Sequence, residues 1–353
     1  MRILVAVALF GAGSLILGSA PADACCMLPR GHAATIGQAG QKAVLVHHAG
    51  KEDLILAVDY RISGETMPDR FAWVITVPAE PHAYAVVEEE IFREVADWAI
   101  PLVTPKPEES WGLKRGAGGL DAPVAPAADL EFGKRTVVGP YDIQPVRARG
   151  LHALESLNDW LTENGFPTED PGHMAYFVRE EFTFLAVRVT PPEEGQPVAK
   201  GGLLPPLHLS FDSERPYYPL RFSSRMGPLD IDIFALTGEA FDYEASKSTL
   251  DRIRWEDVGL LRNVEVIADR LPTRLGKALS KSPLGARKEG WYLNVLRPRR
   301  VNADDTIRTW EEDVFFTTGP VPMNRAWLVA VAAALLAGGF LFVRARGKRV
   351  AAH

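Results

Sequence analysis

Thiols, imidazoles and paired carboxylates are the side chains here with chemistry to offer. Both cysteines of the chain, Cys25 and Cys26, stand side by side in the stretch PADACCMLPRGH. Thiolates bind soft metals and exchange disulfides. With no third cysteine, Cys25 bridges only Cys26 or another chain, and a ring closed between neighbours is strained and easily reduced. The pair plus His32 supplies three zinc-type ligands, short of the four a structural zinc site takes. A lipid on Cys25 is a third outcome, with Asp23 a poor fit ahead of it, and bare thiols are the fourth. His47 and His48 are strand neighbours, so they point to opposite faces and do not share an ion. One is expected toward solvent and one half-buried. Asp230 and Asp232 share a strand face about 7 Å apart. That spacing serves acid–base chemistry or calcium, and equally the wet face of an amphipathic strand. Asp170, His173 and Tyr176 sit in TEDPGHMAYF, read as a polar loop whose spacing fits no named mechanism. Tyr217 and Tyr218, between Pro216 and Pro219, must face opposite ways, which predicts one exposed ring for binding. No His-Glu-x-x-His, Gly-x-Ser-x-Gly, P-loop or Gly-x-Gly-x-x-Gly occurs, so no residue is assigned as catalytic and no cofactor is expected.

The elements that must hold these residues read as mixed. KAVLVHH and EDLILAVDYRI are strands around AGK, a hairpin. RFAWVITVP is a strand stopped by Pro78. In AYAVVEEEIFREVADWA the period changes: Val87, Ile91, Val95 and Trp98 fall on one helical face. KRTVVGPYDIQPV is extended, and LHALESLNDWLTENG is helical, with Leu154, Leu157 and Leu161 aligned and Gly165 placed to end it. EFTFLAVRV, LHLSF, YYPLRF, LDIDIFAL, WYLNVLRP and EEDVFF are short strands, and 263–270 is read as helical. The predicted class is α+β: mainly antiparallel sheet, a few packed helices and one C-terminal transmembrane helix.

Membrane segments frame that body. Residues 1–24 carry Arg2, an apolar run and Ala22-Asp23-Ala24, the pattern of a secretory signal peptide. Ala326 to Val343 is an uncharged 18-residue run, about 27 Å long as a helix. Arg344, Arg346, Lys348 and Arg349 follow it, which predicts a single-pass cell-membrane protein with its body, 25–325, outside and a short tail, 344–353, inside. The Pro- and Gly-rich stretch 105–129 is a loop or linker at which the body subdivides. The chain holds 39 Lys plus Arg and 45 Asp plus Glu; without Arg2, the four tail cations and Asp23 the body stands at about −10. That charge argues against a nucleic-acid partner.

RFAWVITVPAEP, VVGPYDIQPV, LNDWLTENGF, FTFLAVRV, PLHLSF with YYPLRFS, and WYLNVLRP through EEDVFF follow one another along the chain. In that order they resemble an uncharacterised bacterial envelope family, domain of unknown function 2330, over roughly Cys25 to Phe316. A cysteine after the leader is similar to that family's start, although there glycine usually follows and here Cys26 and Met27 do. The resemblance implies a secreted or membrane-anchored bacterial protein and brings no activity or catalytic residue with it. The expected function is a non-catalytic binding or structural module outside the cytoplasmic membrane, with an envelope protein or polymer as partner. The competing readings are an envelope hydrolase using loop carboxylates or His, and a redox or metal sensor using Cys25 and Cys26.

Overall fold

Two sheets lie face to face, each covered by helices on its outer side. The structure, a computed structural model, describes residues 26–104, 130–150, 152–191, 196–223, 229–243, 245–246, 260–297 and 313–319. The first sheet runs β1 (Cys26–Met27), β4 (Phe71–Val77), β9 (Thr183–Val189), β8 (Tyr141–Ala148), β6 (Leu130–Phe132), with β7 (Thr136–Val138) also on β8. The second runs β15 (Leu260–Val266), β16 (Trp291–Leu296), β13 (Asp230–Thr237), β2 (Thr35–His48), β3 (Lys51–Ser63), β11 (Leu207–Asp212), β5 (Ala83–Val86), with β10 (Gly201–Leu203) on β3. Two short ribbons join them: β12 (Tyr217–Tyr218) with β17 (Val314–Phe315), and β14 (Ala240–Phe241) with β18 (Thr318–Gly319).

Strand alternation explains the layers. Along β3, Leu54, Leu56 and Val58 face the first sheet and meet Trp73, Ile75 and Val187 in one apolar cluster. Tyr60 against Phe71, centroids 5.0 Å apart, closes one end of that interior. Ile55 and Ala57 point the other way, to a second cluster with Ile91 and Val95 of α1 (Glu90–Val103) and Leu275 and Leu279 of α4 (Thr273–Leu279). On the far side of the first sheet, Phe184 meets Phe177 of α3 (Pro171–Arg179), and α2 (Ala153–Glu163) lies on β8. Strands covered on both faces read as unbroken apolar runs, as LILAV does. β2 and β3 form the expected hairpin, its turn at Ala49 and Gly50 with φ of 49° and 74°, the mirror-image turn that suits twisted strands.

The expected α+β class with a transmembrane helix is corrected. The described chain is mostly β, and its helices are short covers on two sheets. No helix among the described residues is long and apolar enough to cross a membrane. Residues 1–25, 105–129 and 326–343, which carry the expected leader, Cys25, linker and span, lie outside the described residues. Segment 263–270 is strand to Val266 followed by a single 3-10 turn, Ala268–Arg270. TEDPGHMAYF is no loop: Asp170 accepts from the Gly172 N–H at 2.7 Å, Pro171 takes the first helical position, and α3 follows. α1 begins only at Glu90, because Ala83–Val86 pairs with β11 as an edge strand.

Candidate functional site

The residues singled out by type do not converge. Asp232 pairs in register with Lys42, and its carboxylate accepts from Arg297 Nε at 2.8 Å. His47 lies farther along β2, about 17 Å from Lys42 at strand rise, and on the opposite face. It is buried, and its Nε2 donates to the Ser213 carbonyl at 2.8 Å. Burial holds its pKa below the ordinary value. His48 is half-buried under Arg287, not solvent-facing. His173 is buried on α3 beside Phe222. Cys26 is fully buried on β1 opposite Trp73, and His32 Nδ1 accepts from the Ala34 N–H at 3.2 Å. Among the described residues no three His, Cys, Asp or Glu side chains gather as metal ligands.

The exposed tyrosine is corrected too. Tyr217 and Tyr218 do point opposite ways, but both directions are interior, and both rings are 0% exposed. Tyr217 reaches Thr76 of the first sheet, and Tyr218 donates to Gln41 of the second.

Polar groups that do gather hold the chain together. Asp53 accepts from His208 Nε2 at 2.8 Å, from Ser210 Oγ at 2.5 Å and from Ser282 Oγ. A Ser, His and Asp side by side suggest a triad, but each hydroxyl gives its one proton to Asp53 and none to the imidazole. Burial pushes the Asp53 pKa up, and these three hydrogen bonds outweigh it, leaving the group below its ordinary value. On the other face, Glu52 accepts from the Tyr217 N–H at 2.9 Å, and Asp313 accepts from the Tyr217 hydroxyl at 2.8 Å. Asp313 also takes the N–H groups of Leu220, Arg221 and Val314. Burial pushes Asp313 up to about 6 and Glu52 well above the usual carboxylate range.

Open space lies elsewhere. A cleft of about 1200 Å³ opens at the end of the sandwich where β4 begins and β9 ends. Tyr60, Phe71, Val198 and Leu204 line it, with Pro140, Pro191, Pro197 and Pro205 as walls lacking an N–H. Its loops are tied down: Tyr60 donates to the Ala199 carbonyl at 3.1 Å, Tyr141 to that of Pro205, and Val198 N–H to that of Pro68 at 2.9 Å. A pre-formed, mainly apolar concavity with a few polar groups is what small ligands use. Asp69, Arg70, Arg188, Thr190 and Gln196 are those groups, and Arg70 and Arg188 are the two cations. Arg70 and Arg188 lie far apart in sequence and come to one cleft because Ala72 pairs with Arg188, so no local pattern announced it. A second groove, about 600 Å³, sets Lys42, Arg93 and Arg297 against Glu89, Glu90 and Asp232, balanced in charge.

Among solved structures, the chain is similar to the crystal structure of baculovirus P35, with TM-score 0.38 and 9% identity over 80% of this chain and 97% of that one. The caspase-8/P35 complex gives TM-score 0.34 and 8% identity over 79% of this chain and 96% of that one. Likeness at that level carries no argument about this chain. No curated protein matches it. A family model described as an uncharacterized protein conserved in bacteria (DUF2330) matches residues 20–303.

Proposed function

We propose, for a chain that belongs to this family of uncharacterised bacterial proteins, a non-catalytic binding module that works in the cell envelope and takes an apolar ligand in the cleft at the β4–β9 end. The observation that supports it is the cleft itself: spacious, pre-formed by hydrogen-bonded loops, and lined by aromatic, aliphatic and proline side chains. The titratable groups that converge are committed to Asp53 or to the Tyr217 backbone and hydroxyl, inside the core. An envelope location draws its support from the leader-like pattern of residues 1–24.

The test is a titration with N-phenylnaphthylamine, an uncharged probe that fluoresces on leaving water. Ala199 is exposed at the cleft wall, so Ala199→Trp fills the space without disturbing the core. Saturable binding that disappears in Ala199→Trp, with the melting temperature unchanged, is expected. Equal binding by the variant overturns the assignment of the cleft.

A further inference from the structure

The two guanidiniums at the cleft differ in how well they are already satisfied. Arg70 lies in the cleft wall and donates to its neighbour Asp69 at 2.9 Å, both side chains largely exposed. Arg188 is two-thirds buried, with its side chain 35% exposed. The carboxylate nearest to it belongs to Asp142, which accepts two hydrogen bonds from Arg135 at 2.6 and 2.5 Å and reaches Arg188 only at 3.7 Å. One carboxylate therefore faces two cations and is engaged by the other. The Arg188 Nε is buried and has no acceptor among the described residues. A buried donor without an acceptor is costly, and a guanidinium fork matches a carboxylate or phosphate in shape and charge.

We propose that the cleft binds a single-chain amphiphile, its tail along Pro140, Pro191, Pro197 and Pro205 over the buried floor of Tyr60, Phe71, Val198 and Leu204, and its anionic head on Arg188, with Arg70 alongside. This rests on the cleft being a ligand site, as argued above. An amphiphile fits better than a peptide. Prolines make up much of the wall and lack an N–H, and the Tyr60 and Tyr141 hydroxyls already donate to loop carbonyls. A peptide backbone brought there would bury polar groups without partners.

The experiment compares decanoate and decyl phosphate with uncharged decanol by calorimetry on the intact protein, beside the N-phenylnaphthylamine titration. At least one anionic ligand is expected to bind tenfold or more tightly than decanol, and which one it is separates carboxylate from phosphate. Arg188→Gln is expected to bring that ligand down to the level of decanol while leaving decanol unchanged. Arg188→Lys is expected to restore part of the preference, because it keeps the charge without the fork. Should Arg188→Gln fail to fold, Arg70→Gln, at an exposed position, is expected to weaken the anionic ligand severalfold and leave decanol alone. Equal binding of all three ligands, blocked by Ala199→Trp, overturns the anionic head and leaves the apolar cleft standing. Binding of the naphthylamine with none of the three overturns the amphiphile. If neither the probe nor the amphiphiles bind, the cleft itself is not a ligand site and the inference falls with it.

Discussion

Replacing Asp313 by alanine removes an acceptor that serves four donors. Oδ1 takes the N–H groups of Leu220 at 3.2 Å and of Arg221 and Val314 at 2.8 Å, and Oδ2 takes the Tyr217 hydroxyl at 2.8 Å. Without Oδ2 the hydroxyl can turn its one proton to the Thr76 carbonyl at 3.1 Å, but the three N–H groups lose their acceptor. At about 1–2 kcal/mol per orphaned donor after relaxation, Asp313→Ala costs about 4 kcal/mol. Asp313→Asn behaves differently. Its amide oxygen keeps the three N–H groups, and its NH2 donates to the Tyr217 hydroxyl, which turns its own proton to the Thr76 carbonyl. It also lifts a charge out of the interior. The carboxyl titrates near 6 in the fold against an ordinary 3.8. The folded state therefore holds its proton more tightly. This contribution to stability is complete below about pH 3.8, declines as pH rises through 6, and amounts to about 3 kcal/mol. Urea unfolding followed by tryptophan fluorescence from pH 4 to 7.5 measures it. The difference between the wild type and Asp313→Asn isolates this residue from Glu52 and Asp53, which titrate in both proteins. Asn is expected to gain on the wild type as pH rises. An Asn variant as damaged as Ala, or a difference that stays flat with pH, would refute the reasoning.

Asp53→Ala strands His208, Ser210 and Ser282 and is expected to cost about 3–5 kcal/mol in the same unfolding assay; a loss below 1 kcal/mol would mean water replaces the carboxylate. Glu52→Gln substitutes a neutral amide for a carboxyl whose pKa burial raises well above the usual range. A group whose pKa folding raises loses stability as pH climbs above its ordinary range, so the variant should gain on the wild type from pH 4 to 7, and a fall at pH 7 is the contrary result. Ala49→Gly relieves a left-handed residue in an exposed turn and should raise the urea midpoint by the equivalent of about 1 kcal/mol; no rise would show that the turn relaxes in solution.

The local signals in the sequence were faithful to local structure. AGK between two apolar runs is a hairpin turn, and Gly165, at φ 83°, follows the end of α2. The start of α3 is legible in Asp170-Pro171, a cap followed by a favoured first helical residue. Partners distant along the chain were not legible. LDIDIFAL alternates only at its start; Phe234 to Thr237 are buried on both faces because β13 lies between β2 and β16 under α1. Nothing near Asp230 says that it will pair in parallel with Gly40. Tyr217 and Tyr218 obeyed strand alternation, yet a two-residue ribbon wedged between layers has no outside. The cleft escaped for the same reason, since Arg70 and Arg188 come to it only through the register of β4 and β9.

The parallel pairing of β2 with β13, and the seating of Phe316 on Phe241 at 4.9 Å, bear on how this chain is made. During synthesis, β2 and β3 can form their hairpin early, but one long edge of it waits until residues 230–237 exist. The Tyr217 ribbon then waits for Val314 and Phe315. A chain with so many distant partners folds slowly and keeps apolar strand edges open meanwhile. A polypeptide emerging N-terminus first from a ribosome thus leaves the edges of β2, β3 and β4 without their last partners until nearly all of the described body has been made.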